Sequence, residues 1–260
     1  AVTDVLQGSM FIYMIIIVTF YAGQLVWKER DPRIDGIANA LPMASRTPLL
    51  AKFTALFGVV LVVMLLTTLA GMITQLAHGY TRLQPMIYLT YYIIPSLLGF
   101  TFFSALAILV HVLVNNKYLG FFVFILIIVL NMFVWDIPGI ESKLVVLNGS
   151  TGLQYSDMNG VAPFIRNWIF FRVYWMVFAG IMLLAAYLFV VRGNDTEWRW
   201  RWHAARERLK GARPMAFILI GAWVMFVGFG YYQTQVVNEY TTSDEQEDLQ
   251  VKYERTYKRY

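Results

Sequence analysis

The chain has 260 residues, of which 58% are hydrophobic, 17% aromatic and only 14% charged, with a formal charge of +5. A soluble domain carries about 25% charged residues to keep its surface hydrated, so these proportions exclude an ordinary soluble fold, a disordered chain, a coiled coil and collagen. The absence of cysteine excludes a disulfide scaffold and any Cys-based metal, redox or nucleophilic site.

Six charge-free stretches are long and apolar enough to cross a hydrocarbon layer about 30 Å thick: residues 5–27, 53–77, 83–116, 118–135, 173–191 and 214–238. None alternates as a barrel strand does. The expected fold is all-α, a polytopic membrane bundle of six transmembrane helices. The first ten residues have no basic start, and no small-residue cleavage site follows the apolar run, which does not fit a cleaved signal peptide.

After the first span, Ile34, Ile37, Ala38 and Leu41 recur at the spacing of one helical face. Asp31 before Pro32 is a helix-start signal and Pro42 a stop. An amphipathic helix over 32–41 is predicted, either lying on the membrane surface or docking a partner through Lys28, Glu29, Arg30, Asp31, Arg33, Ile34, Ile37 and Leu41. In the third span, Pro95 and Gly99 predict a kink. The turn-rich loop 136–167, with Asn148-Gly149 and Asn159-Gly160, reads as an ordered lid or contact surface. After the fifth span, Arg199, Arg201, Arg206 and Lys210 interleave with Trp198, Trp200 and Trp202. Nucleic acid could suit that pattern. Beside a span, it reads instead as an interfacial helix on anionic lipid. Past the last span, Thr242-Ser-Asp-Glu245 resembles a capping box, and Leu249, Tyr253 and Tyr257 form a stripe on the helix it would start.

Thirteen basic residues fall in alternate connections: Lys28, Arg30, Arg33, Arg46 and Lys52, then Lys117, then Arg192, Arg199, Arg201, Arg206, Arg208, Lys210 and Arg213. Cytoplasmic loops collect Lys and Arg, which puts that side in the cytoplasm and both termini outside. A start outside, immediately before a span and with no targeting segment, is the pattern expected of an internal or processed piece of a longer chain. No charged residue falls mid-span. The polar groups there are Thr67, Thr68, Gln75, Thr101, Ser104 and Asn131, which suit hydrogen bonds between helices or to backbone. An ion-coupled carrier, which hands a proton or cation across the bilayer, is disfavoured on that ground. His111 reads as a packed or interfacial histidine.

The run Phe20-Tyr-Ala-Gly-Gln-Leu-Val-Trp-Lys-Glu-Arg-Asp31, with Asp35, Ala40-Leu-Pro42 and Lys52, resembles the permease portion of type-two ABC exporters. Within these, it is similar to bacterial permeases fused to an aminopeptidase-N-like zinc peptidase. Further matching stretches are Thr3-Asp-Val-Leu-Gln-Gly-Ser9, His111-Val-Leu-Val-Asn-Asn-Lys-Tyr-Leu-Gly120, Tyr155-Ser-Asp-Met-Asn-Gly160, Tyr231-Tyr-Gln-Thr-Gln-Val-Val-Asn-Glu-Tyr240 and Tyr253-Glu-Arg-Thr-Tyr257. The resemblance implies an exporter-type domain over 1–192, whose 32–41 helix couples to an ATP-binding subunit. It also implies an outer gate region in the 136–167 loop, at Tyr155, Asp157 and Asn159. A basic linker over 193–213, an extra span over 214–238 and an extracytoplasmic helical tail over 239–260 follow, the tail leading towards a peptidase domain outside this chain.

The chain's own residues carry no catalytic constellation. His78, His111 and His203 are too scattered for the His-Glu-x-x-His of a zinc peptidase, and no Gly-x-x-x-x-Gly-Lys phosphate loop occurs. No cofactor or metal is expected on this chain, ATP-Mg being carried by the partner. Expected partners are that ATP-binding subunit, a second permease half or dimer mate, and the lipid bilayer of a bacterial inner membrane, but no nucleic acid. The alternative function is a membrane anchor or scaffold for an extracytoplasmic peptidase.

Overall fold

The computed structural model describes residues 2–31, 44, 46–81, 83–135, 142–153, 162–191, 197–237 and 243–258. Among them the secondary structure is entirely helical: α1 (Val2–Trp27), α2 (Arg46–Ala77), α3 (Pro85–Leu113), α4 (Lys117–Phe133), α5 (Ala162–Phe189), α6 (Trp198–Tyr231) and α7 (Ser243–Tyr257). Five of these, α1, α2, α3, α5 and α6, are long and apolar enough to cross a membrane. The fourth stretch read from the sequence forms α4, an apolar helix of only 17 residues, about 25 Å at 1.5 Å per residue. The Asn116 side chain starts it, accepting bonds from the Tyr118 and Leu119 N–H groups at 2.9 and 3.2 Å.

α3 is the centre of the bundle and packs against α1, α2, α4 and α5, while α6 packs on α5. Its interior side chains, including Phe102, Ala105, Ile108 and His111, are fully buried. Outer faces stay apolar: Phe217, Ile218 and Met225 of α6 are 76%, 70% and 71% exposed. Such faces suit lipid and would aggregate in water. The expected perturbation at Pro95 takes a specific form. A π-helical turn over Tyr88–Ile93 hands over to regular helix at Ile94, just before the residue that cannot donate an amide bond.

The end of α1 at Trp27 agrees with the sequence reading, but the starts of α5 and α6 lie well before the charge-free stretches. α5 starts at Ala162 and includes Arg166 and Arg172, and α6 joins most of the expected linker and the last span in one helix running through Pro214. Of the mid-span polar residues, Thr68, Thr101 and Ser104 donate to the carbonyls of Met64, Leu97 and Phe100. Thr67 meets the Tyr92 hydroxyl on α3 at 2.9 Å.

The last residues of α1, α3 and α5 and the first of α6 share one end of the bundle, the basic face. His111 lies towards it. Its ring packs on Gly120, where a Cβ would stand 2.4 Å from Nδ1, while a Cβ on the neighbouring Gly23 would stand 2.1 Å from Phe121 Cε1.

Candidate functional site

At the basic face the chain leaves α1 between two ion pairs. Glu29 pairs with Lys52 of α2 at 2.5 Å, and Asp31 with Lys117 of α4 at 2.6 Å. Lys117 also donates to Gln24 Oε1 at 3.1 Å. Arg30 sits 5.1 Å from the Trp27 ring centroid, and Lys28 is exposed. The remaining docking residues, Arg33, Ile34, Ile37 and Leu41, and with them the 32–41 helix, lie outside the described residues, as do Tyr155, Asp157 and Asn159.

The residues of the expected lipid-binding cluster differ in exposure. Arg199 and Arg206 are exposed, and Lys210, also exposed, pairs with Glu207 at 2.6 Å. Arg201 departs from the lipid reading: it is 3% exposed. Its guanidinium donates to the carbonyls of Val112, Leu113 and Phe189 and to Asn115 Oδ1. Arg208 likewise donates to the carbonyls of Tyr187, Leu188 and Val190. The last carbonyls of a helix have no partner within it and carry its partial negative charge. Two arginines of α6 therefore close the C-terminal ends of α3 and α5.

At the opposite end the segment after α4 folds back against the bundle. Residues 142–153 are held at several points. Asn131 of α4 accepts from the Leu147 N–H at 3.0 Å and donates to the Leu147 carbonyl at 3.3 Å. The Tyr174 hydroxyl donates to the Leu144 carbonyl at 2.9 Å. Asn148 adopts a left-handed conformation with φ 58°. Its amide reaches the Gly99 carbonyl at 3.4 Å, and its Oδ1 accepts from Arg172 Nη1 at 3.0 Å. Irregular backbone at such depth is tolerated where it is buried in protein or lines a cavity, and here it lines one.

That cavity holds about 270 Å³ and is partly open. Ser96 and Gly99 of α3, Asn148 and Thr151 of the folded-back segment, and Trp168 and Arg172 of α5 line it, over an aromatic floor of Phe11, Phe100 and Phe103. The ring centroids of that floor lie 5.9 to 6.3 Å apart. Arg172 directly precedes the charge-free stretch 173–191. In the structure it stands inside a helix that can cross the membrane, 5.7 Å from the Trp168 ring centroid. A charge followed by a long apolar run, with an Asn-Gly turn in the preceding loop, was the available signal. It does not say which way the side chain turns. No group of three or more metal-ligating side chains occurs among the described residues.

Comparison with protein-family models, with curated proteins and with solved structures gave no match.

Proposed function

We propose that the chain is the permease portion of an ATP-driven ABC-type exporter, with its basic face in the cytoplasm of a bacterial inner membrane. A partner subunit hydrolyses ATP and presses on the 32–41 segment, and a second permease half or dimer mate completes the pathway. The observation that supports this reading best is the pair of ion pairs at the exit of α1. Glu29–Lys52 and Asp31–Lys117 tie the start of that segment to α2 and α4, so a push on it is passed to three helices at once. The cavity at the far end of the same bundle gives such a movement a polar pocket to open or close.

A second reading, a membrane anchor or scaffold for an extracytoplasmic peptidase, draws on α7. Its Leu249, Tyr253 and Tyr257 are 58%, 63% and 70% exposed, an uncovered stripe suited to a neighbouring domain. The two readings part at the 32–41 segment. Leu41→Asp combined with Arg30→Glu and Arg33→Glu, in the full-length protein with its native partners, is expected to abolish stimulated ATPase and transport. Retention of both activities would refute the docking assignment. An intact complex lacking any ATP-binding subunit would favour the anchor.

A further inference from the structure

Arg172 is the one basic side chain of α5 described as half-buried, and it lacks the partners that α6 gives its own arginines. Among the described residues, Nη1 donates to the neutral Asn148 Oδ1 as its one side-chain partner, Nε is buried without a partner as that of Arg201 is, and no carboxylate pairs with the guanidinium. Thr151 lines the same cavity, and its hydroxyl is buried with no partner among the described residues. A guanidinium withdrawn from water without an anion is strongly disfavoured, and in a membrane helix such a charge marks a ligand or pathway site. Gly99 packs against the same pair: a Cβ there would be 3.3 Å from Asn148 Nδ2, a tight contact, and 3.5 Å from Arg172 Nη1, an ordinary one. The wall offers donors on one side and an aromatic floor on the other, with no acidic residue among the described residues of the lining.

We propose that this cavity binds a singly charged oxyanion, a phosphate or carboxylate, between the Arg172 guanidinium and the Thr151 hydroxyl, with any attached apolar part against Phe11, Phe100 and Phe103. Such an anion supplies the missing counter-charge and accepts from both idle donors, and the guanidinium fork matches its geometry. Its source is either a lipid headgroup from the adjoining leaflet or a free anion. The site stands whether or not the chain is a permease.

The test uses the purified full chain in a neutral detergent. Inorganic phosphate, acetate and phosphatidylglycerol are each titrated, against phosphatidylcholine, whose headgroup carries no net charge. Retention is read by native mass spectrometry and thermal stabilisation. Saturable binding of at least one anionic probe is expected, weakened about tenfold or more in Arg172→Gln, the loss of one charge-assisted contact. It should be unchanged in Arg166→Gln, an exposed residue of the same helix. Binding of phosphatidylglycerol alone identifies a headgroup; binding of phosphate or acetate as well identifies the anion itself as sufficient. If Arg172→Gln does not fold, Thr151→Val carries the test, with an expected several-fold loss. Equal retention of anionic probes and phosphatidylcholine, or equal binding by the folded variant and the native protein, would overturn the proposal.

Discussion

Replacing Arg201 by Met removes a guanidinium that makes four bonds to two helix ends and the turn between α3 and α4. Hydrogen bonds to charged groups contribute roughly 1.5–3 kcal/mol each, and truncation leaves buried carbonyls with no donor. Against this stands the desolvation of the guanidinium, itself several kcal/mol. The residual expected loss is about 3–5 kcal/mol. Arg201→Lys keeps the charge, but a point ammonium cannot span carbonyls on both α3 and α5, so about half of that loss should remain. The exposed Arg199 and Arg206 provide the contrast: truncating either to Met should change stability by about 0.5 kcal/mol or less. Equilibrium unfolding of the detergent-solubilised chain in mixed micelles measures all four variants on one scale. A loss for Arg201→Met within about 1 kcal/mol of that for Arg199→Met would refute the helix-closing role and return Arg201 to the lipid surface.

Gly120→Ala should cost about 1–3 kcal/mol, because its Cβ would overlap the His111 ring at 2.4 Å from Nδ1. The same unfolding assay should show much of that loss recovered in the Gly120→Ala/His111→Ala pair, measured against His111→Ala alone, since the two sites touch. Asn131→Leu strips both partners from the Leu147 backbone. It should destabilise by about 1–3 kcal/mol and raise amide exchange across residues 142–153 while leaving the basic face unchanged. Uniform exchange at both ends would contradict that local anchoring.

The helices were legible because charge-free runs of this length have few alternatives to a membrane helix. The starts of α5 and α6 are not legible in the same way, because a charge does not always mark the edge of the bilayer. Arg172 and Arg201 show the limit of that rule. An arginine beside apolar sequence can snorkel to water or bond to carbonyls elsewhere in the chain. The partner that decides for Arg201 lies 88 residues away at Leu113. Asn131 could be read as a former of hydrogen bonds, but its partner, the backbone of Leu147, belongs to a loop whose return into the bundle has no local pattern. The shortness of α4 and that return go together: the space left beyond Phe133 is where residues 142–153 sit, and the cavity is lined from there.

The two ends of the bundle treat buried arginine differently, and the difference separates structural from functional charge. Arg201 and Arg208 reach helix C-termini, where unpaired carbonyls and the helix dipole welcome a cation. Their guanidinium groups donate to several backbone carbonyls each, which ties α6 to the ends of α3 and α5. Arg172 meets no helix C-terminus: it shares one neutral amide oxygen with a left-handed turn and faces an open volume. Backbone closure could have served a structural arginine here as well, since α6 obtains it twice at the other end. A fold that instead holds Asn148, Gly99 and Trp168 around a guanidinium with one side-chain hydrogen bond among the described residues fits the proposed anion site.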